Sequence, residues 1–407
     1  HPAGPGSGGV GDGMGDRWRP AWADIDLAAV RHNAAVLRRL AGPAALCAVV
    51  KADGYGHGDL PMARTALEGG ATWLAVALVE EGVALRDGGI DAPILLLSEP
   101  PTEGMAEAVA RGLVPTVYTP GGLEALSRVV GDGGLPPLAV HLKVDTGMHR
   151  VGADAGDAAA LAGTVAADPR LRLGAVWTHL AVADGAGPDD REFTRAQLQR
   201  FDALLAGLAA AGHRPGLTHV ANSAGTIAVP EARRDLVRCG IALYGVAPTE
   251  ALAEQLASAP GGGRLRPVLS LRTRVTFVRD LDRGERPSYG RRRPLARRST
   301  VATAPIGYAD GFPRRLFDQG GEVLIRGIRR PLAGVVTMDQ IVIDCGPVGT
   351  EPVAVGDEVV LLGRQGSEEV TASEWADLLG TISYEVLCDI GPRVPRLLTD
   401  DGAGSPD

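Results

Sequence analysis

A lysine closes the apolar run Leu46-Cys47-Ala48-Val49-Val50-Lys51, and a glycine-dense turn, Ala52-Asp53-Gly54-Tyr55-Gly56-His57-Gly58, follows it. Lysine is a poor core residue, so Lys51 either caps a strand with its amine in water or is held for chemistry. Tyr55 and His57 beside it favour the second reading, and the glycines let backbone approach a bound anion closely. An amine must be neutral to attack a carbonyl, and the pKa of lysine falls readily on burial or beside other cations. Further polar residues gather at the ends of other apolar runs: Asp145 to Arg150, His179, Asn222-Ser223 and Arg238. A guanidinium such as that of Arg238 has donors and no acceptor and stays protonated.

These residues need elements to carry them. From about residue 45 to 240 short apolar runs alternate with longer amphipathic stretches such as Arg195–Leu205, the pattern of repeated βα units and a parallel sheet. The runs are Leu46–Lys51, Trp73–Leu78, Pro93–Leu97, Val114–Tyr118, Ala139–Val144, Ala175–His179, Leu217–Ala221 and Leu236–Cys239. Eight of them predict an α/β fold with a (β/α)8, TIM-type barrel over 30–263, the competing topology being an open doubly wound sheet. The first run lacks a following G-x-G-x-x-G, and the polar residues fall at carboxyl ends of strands, where barrel active sites lie. After Pro260-Gly261-Gly262-Gly263, a linker, the pattern changes to alternation in Leu269–Val278, Glu322–Arg326 and Glu358–Leu362. This predicts a mainly β C-terminal domain over 265–399, joined by a strand within 20–28, with one short helix near Ser373–Leu379. Residues 1–18, rich in Gly and Pro, read as a disordered tail or an expression remnant, and 400–407 as a flexible tail.

The bulk numbers fit an enzyme of ordinary kind. The 407 residues exceed one typical core, and 45% hydrophobic with 22% charged residues suits a globular protein. A net charge of -8 argues against a nucleic-acid surface, so the cluster Arg291-Arg292-Arg293 with Arg297-Arg298 reads as a solvated loop. The four cysteines, Cys47, Cys239, Cys345 and Cys388, lack C-x-x-C spacing, which suggests no disulfide framework and no metal site, and a cytoplasmic setting. No apolar run spans a bilayer, so no membrane partner is expected.

Over roughly residues 20 to 396 the chain resembles the alanine racemases, a pyridoxal-phosphate-dependent family with a barrel and a β domain. The resemblance rests on Val49–Gly58, Lys143-Val144-Asp145-Thr146-Gly147-Met148-His149-Arg150, Thr178-His179, Ala221-Asn222-Ser223, Arg238-Cys239-Gly240-Ile241, Ser288-Tyr289-Gly290, Gly307–Gly311 and Met338-Asp339-Gln340. It implies interconversion of L- and D-alanine, with D-alanine supplied to the bacterial cell wall. Lys51 would hold the pyridoxal 5'-phosphate covalently and serve as one base, with Tyr289 as the second on the opposite face. Inverting a stereocentre through a planar carbanion requires one base per face. Arg238 would face the pyridine nitrogen, and His179 would stand between Arg238 and Tyr289, lowering the phenol's pKa through nearby positive charge. Arg150 would contact cofactor and substrate carboxylate, and Lys143 matches a lysine carbamylated in many members. The phosphate would lie near Ser223, Gly240 and Ile241, with Tyr55 and Asn222 assisting. Tyr308, Met338 and Asp339 would shape the substrate pocket, and a homodimer would complete each site in trans.

The chain departs from the family pattern in two places. Pro392 stands where many members carry tyrosine, which puts one phosphate contact in question because proline cannot donate a hydrogen bond; nearby Tyr384 is a candidate substitute. His149 replaces a smaller residue. On sequence, a racemase of broader specificity, a decarboxylase on the same barrel and a non-catalytic cofactor carrier stay open as alternatives.

Overall fold

The computed structural model describes residues 18–400, so the tails read at 1–18 and 400–407 lie outside the described residues apart from Trp18 and Asp400. The chain divides into two units, one formed by 26–269 with 382–389, the other by 18–25, 270–381 and 390–398 within the described range.

The first unit is a barrel. Strand β1 (Ala21–Asp26) leads directly into the helix Leu27–Ala41, whose N-terminus is capped by the Asp26 carboxylate accepting from the Ala29 amide at 2.9 Å. Eight parallel strands follow: β2 (Ala45–Val49), β3 (Trp73–Val76), β4 (Ile94–Leu96), β5 (Thr116–Val117), β6 (Leu138–Lys143), β7 (Leu171–Trp177), β8 (Leu217–His219) and β9 (Leu236–Cys239). Their order in the sheet is β4-β3-β2-β9-β8-β7-β6-β5. The two ends meet where the Leu96 amide donates to Val114 O at 3.0 Å and the Val114 amide to Ile94 O at 2.8 Å, so the sheet curls onto itself. Each of the eight apolar runs overlaps one of these strands, with β7 starting four residues before its run, and the bonds between Leu96 and Val114 exclude the open sheet. Helices cover the outside, so the strands are buried on both faces and their sequences read as continuous apolar runs. The interior departs from all-aliphatic layers. Trp73 meets His141 at 5.5 Å between centroids, His141 meets His219 at 5.3 Å, and His219 stacks on Trp177 at 5.2 Å.

The second unit is mainly β, as the alternating runs imply. Strands β10 (Leu269–Arg274), β11 (Phe277–Leu281), β12 (Ser299–Ala304), β13 (Glu322–Ile325), β14 (Ile328–Pro331), β15 (Ile341–Pro347), β16 (Glu358–Gln365), β17 (Glu368–Val370) and β18 (Arg396–Thr399) build two sheets. One runs β14-β13-β16-β10-β1-β18 with β17 on β16, so the N-terminal strand lies inside it, and the other runs β11-β12-β15. The helix Ala372–Leu379 matches the expected one, with Thr371 capping the Glu374 amide. A second helix, Ser383–Cys388, escaped the sequence reading because six residues carry too little periodicity, and it packs in the barrel unit.

Candidate active site

Lys51 follows β2 at its carboxyl end and is half-buried. The chain then makes an uncommon turn: Ala52, Asp53, Gly54 and Tyr55 all hold left-handed backbone angles, with φ of 52°, 53°, 59° and 53°. Only glycine takes this region without steric cost. The surroundings hold it in place. Glu81 accepts from the Ala52 amide at 2.6 Å, and Tyr244 Oη donates to Val49 O at 2.9 Å. His57 Nδ1 faces two carbonyl oxygens, Gly54 O at 3.0 Å and Tyr55 O at 2.9 Å, so that nitrogen carries the proton. Helix Ser383–Cys388 closes the far side so tightly that a Cβ on Gly56 would lie 2.7 Å from Leu387 O. Glu81 is spent on backbone amides, including those of Ala77 and Leu78, and among the described residues Lys51 has no carboxylate partner.

Four cations are brought to this end of the barrel: Lys51, Lys143, Arg150 and Arg238. Among the described residues none of them pairs with a carboxylate. Lys143, at the end of β6, donates to Leu97 O at 3.3 Å and lies 4.4 Å from the centre of the Trp177 ring. Burial, then Arg238, Arg150 and Lys51, push its amine down to about 7. Burial and Arg150 likewise lower Lys51, against a smaller opposing effect of Glu81. Arg150 is exposed. Asp145, the nearest acid in sequence, is occupied by the amides of Gly147 and His149 and by His149 Nδ1 at 3.0 Å.

Arg238, on β9, is fully buried and its guanidinium stands 4.5 Å from the Trp177 ring centre. It donates to His219 Nδ1 at 2.8 Å, Thr178 O at 2.9 Å, Val220 O at 3.0 Å and His179 Nδ1 at 3.2 Å. Burial pulls it down to about 10, which leaves it cationic at neutral pH. His179 lies well below the ordinary histidine range, through burial first and Arg238 next, so it is neutral and the positive charge rests on Arg238.

An anion cradle forms after the seventh and eighth barrel strands, the usual phosphate position of such barrels. Ser223 Oγ accepts from the amides of Gly240 at 3.0 Å and Ala242 at 3.5 Å, which leaves its own hydrogen available as a donor. Ile241 opens the short turn Ile241–Tyr244, where first-turn amides have no partner within the turn. A Cβ on Gly240 would sit 2.3 Å from Tyr55 Oη, so the glycine makes room for that hydroxyl. Tyr55 stacks on Tyr244 at 4.8 Å and meets Tyr384 at 6.1 Å, and burial raises its phenol, keeping it a donor. Asn222 caps helix Ser223–Ala228 through the Gly225 amide at 2.9 Å and donates to Leu180 O, so both ends of its amide are engaged by the protein.

The remaining candidates belong to the other unit. Tyr289 is 74% exposed, Met338 51% and Tyr308 43%. The backbones of Tyr308 and Met338 are nonetheless fixed. The Tyr308 amide donates to Thr337 O at 3.0 Å and that of Ala309 to Met338 O at 3.1 Å, and the buried Asp310 carboxylate takes both 2.8 Å bonds from Arg19. Asp339 pairs with Arg393 at 2.7 Å, next to Pro392. The sequence reading missed Glu81, Trp177, His141, His219 and Tyr244. Trp177 and His219 end β7 and β8, and that strand-end position was the available signal.

Comparison with known proteins agrees with this arrangement. Residues 25–248 match the family model described as "Alanine racemase, N-terminal domain" and 268–398 that of "Alanine racemase, C-terminal domain". An alanine racemase of Symbiobacterium thermophilum is 48% identical over 382 residues, 94% of this chain and 97% of that protein. One of Desulfovibrio desulfuricans is 40% identical, over 94% and 99%. The crystal structure of alanine racemase from Bacillus anthracis with bound L-Ala-P superposes with a TM-score of 0.86 at 35% identity, covering 95% of this chain and 96% of that one.

Proposed function

We propose, from the premise that the chain belongs to the alanine racemase family and is an isomerase interconverting L- and D-alanine, a two-base mechanism with Lys51 and Tyr289 on opposite faces. The observation that carries the reading is the gathering of four cations without counter-carboxylates around a lysine whose amine is biased toward neutrality. Such a site suits a ligand that brings negative charge and a reactive carbonyl.

Pyridoxal 5'-phosphate fits these residues. Ser223 Oγ, Tyr55 Oη and the amide of Ile241 suit the phosphate; the Gly240 amide is spent on Ser223 Oγ, and Gly240 supplies the space a Cβ would fill. Lys51 is the amine for the aldehyde. When bound, the cofactor acidifies the substrate Cα–H by drawing off its electron pair. Lys51 Nζ takes the proton from one face of Cα, and Tyr289 Oη delivers a proton to the other; the reverse reaction exchanges the two roles. Arg238 presents donors only, so it would give a hydrogen bond to a ring nitrogen of the bound cofactor and leave that nitrogen unprotonated. In that role Arg238 would weaken the pull on the electron pair and favour return of the proton to Cα over its transfer elsewhere. Arg150 holds the substrate carboxylate with its planar fork of donors, and Tyr308, Met338 and Asp339 shape the pocket.

Lys143 is suited to carbamylation. Its amine, near 7, is largely neutral in mildly basic water and can add to carbon dioxide with loss of one proton, placing an anion between Arg150 and Arg238. Exposure of Tyr289, Tyr308 and Met338 supports a homodimer in which these side chains complete the site of a second copy. All four cysteines are free, and no helix of the described residues is long and apolar enough to cross a membrane, in keeping with a cytoplasmic enzyme supplying D-alanine for cell wall.

The test is proton exchange with cofactor mapping. L-Alanine in deuterated buffer should yield D-alanine deuterated at Cα, and borohydride should fix the cofactor on Lys51. Release of carbon dioxide, or labelling of another residue, would overturn the reading.

A further inference from the structure

Arg238 carries a buried charge held by lone pairs alone, and this dictates the state of the rings around it. A guanidinium only donates, so His219 Nδ1 at 2.8 Å must be bare and its proton must sit on Nε2. Nε2 of His219 faces His141 Nδ1 at 3.2 Å. The opposite polarity, His141 donating to His219 Nε2, would leave His219 with no proton on either nitrogen. His141 Nδ1 is therefore an acceptor, and its proton sits on Nε2. The chain Arg238–His219–His141 thus has one direction of donation, set by the guanidinium that can only donate.

His141 stands two residues before Lys143 on β6, deeper in the strand than the mouth-facing lysine. It is buried, with its ring against Trp73 and His219. Burial and neighbouring arginines pull it to about 3 and His219 well below its ordinary range, so both rings are neutral in ordinary buffers. Without the His141 acceptor, His219 Nε2–H would be buried and unpaired, desolvated with no bond to offset the loss of water. Transfer of that proton from Nε2 to Nδ1 would relieve the unpaired donor. A proton on Nδ1 would then confront Arg238 NH1 and displace it.

We propose that His141 is a positioning residue: its Nδ1 holds His219 in the Nε2–H tautomer, and His219 so held fixes the guanidinium of Arg238 that serves racemisation. The proposal rests on the reading above that Arg238 faces the cofactor's ring nitrogen. It acts through two rings and involves no contact of His141 with substrate.

The test uses holoenzyme labelled with 15N at histidine, with His219 assigned by substitution and its tautomer read from long-range nitrogen–proton couplings. Wild type should show a bare Nδ1. His141→Phe keeps a ring against Trp73 and removes the acceptor; His141→Asn restores an acceptor near the Nδ1 position. In His141→Phe the His219 tautomer should become mixed, the cofactor absorption band should shift, and kcat should fall about tenfold to a hundredfold, as when residues orienting a metal ligand are lost. KM for alanine should change less than about threefold, and His141→Asn should recover most of kcat. A protonated His219 Nδ1 in wild type overturns the proposal, as does a His141→Phe enzyme with wild-type tautomer, band and kcat. If His141→Phe does not fold, His141→Asn decides: a tenfold loss of kcat with the His219 tautomer intact overturns it. Failure of the underlying reading shows separately, as borohydride labelling of wild type away from Lys51.

Discussion

The two units hold their candidate residues in opposite ways. In the barrel, Arg238, Lys143 and Ser223 are buried, His179 is half-buried, and all four are tied to one another or to the backbone, so their side chains are positioned before any ligand arrives. In the C-terminal unit Tyr308 and Met338 have fixed backbones, and their side chains and that of Tyr289 are exposed. A substitution in the barrel should therefore disturb structure and cofactor together. One in the C-terminal unit should touch the reaction alone.

The strongest way to sharpen that contrast is to remove the two proposed bases. Lys51→Ala should abolish borohydride-fixed cofactor and lower racemase activity by more than about 10,000-fold, the loss of attachment and base together. Tyr289→Phe should lower kcat by about 100- to 1,000-fold with cofactor affinity unchanged and a melting temperature within about 1 °C of wild type. A large fall in cofactor affinity in Tyr289→Phe would break the comparison. Next comes Gly240→Ala, which drives a methyl group against Tyr55 Oη; cofactor dissociation, followed by absorbance, should weaken about tenfold or more.

A smaller effect concerns Lys143. Its amine lies near 7 in the folded chain and near 10.5 unfolded, so between these values the unfolded state holds a proton that the folded state lacks. Stability must then rise with pH across that window, by at most about 1.4 kcal/mol per unit, and is depressed below it. In buffer free of carbon dioxide, urea midpoints of wild type should gain on those of Lys143→Met from pH 7 to 9. Saturating carbon dioxide should remove the gain, because a carbamate no longer titrates as an amine. The smallest effect belongs to the surface of the C-terminal unit. The exposed Arg298–Asp282 pair, at 3.5 Å, should contribute less than about 0.5 kcal/mol, read as an unchanged urea midpoint in Arg298→Ala.

How legible the molecule is in its sequence follows the same divide. Eight apolar runs revealed the barrel because strands buried on both faces cannot hide, and Lys51, Arg238 and Ser223 were visible because polar residues at the ends of such runs are out of place. Alternation revealed the β domain for the matching reason. His141 and His219 stayed hidden because a histidine within a strand looks the same whether it fills space or relays a hydrogen bond, and only the 2.8 Å and 3.2 Å contacts distinguish the two. Helix Ser383–Cys388 was too short to show a period, and its place beside Gly56 is a contact between residues more than 300 apart in the chain, which no local pattern encodes. The left-handed turn was half legible: Gly54 and Gly56 announce a turn, but Ala52, Asp53 and Tyr55 do not announce its handedness.

That turn inverts an ordinary rule of substitution. An L-residue held at φ near +50° sits on the side of backbone space that a D-residue prefers, at a cost of roughly 1 to 2 kcal/mol for each of Ala52, Asp53 and Tyr55. Glycine normally weakens a chain where it replaces alanine, yet Ala52→Gly relieves a clash here and should be close to neutral or stabilising. A semisynthetic chain carrying D-alanine at position 52 should be more stable than the natural one. The backbone beside Lys51 thus favours, at one position, the mirror-image residue that the enzyme makes.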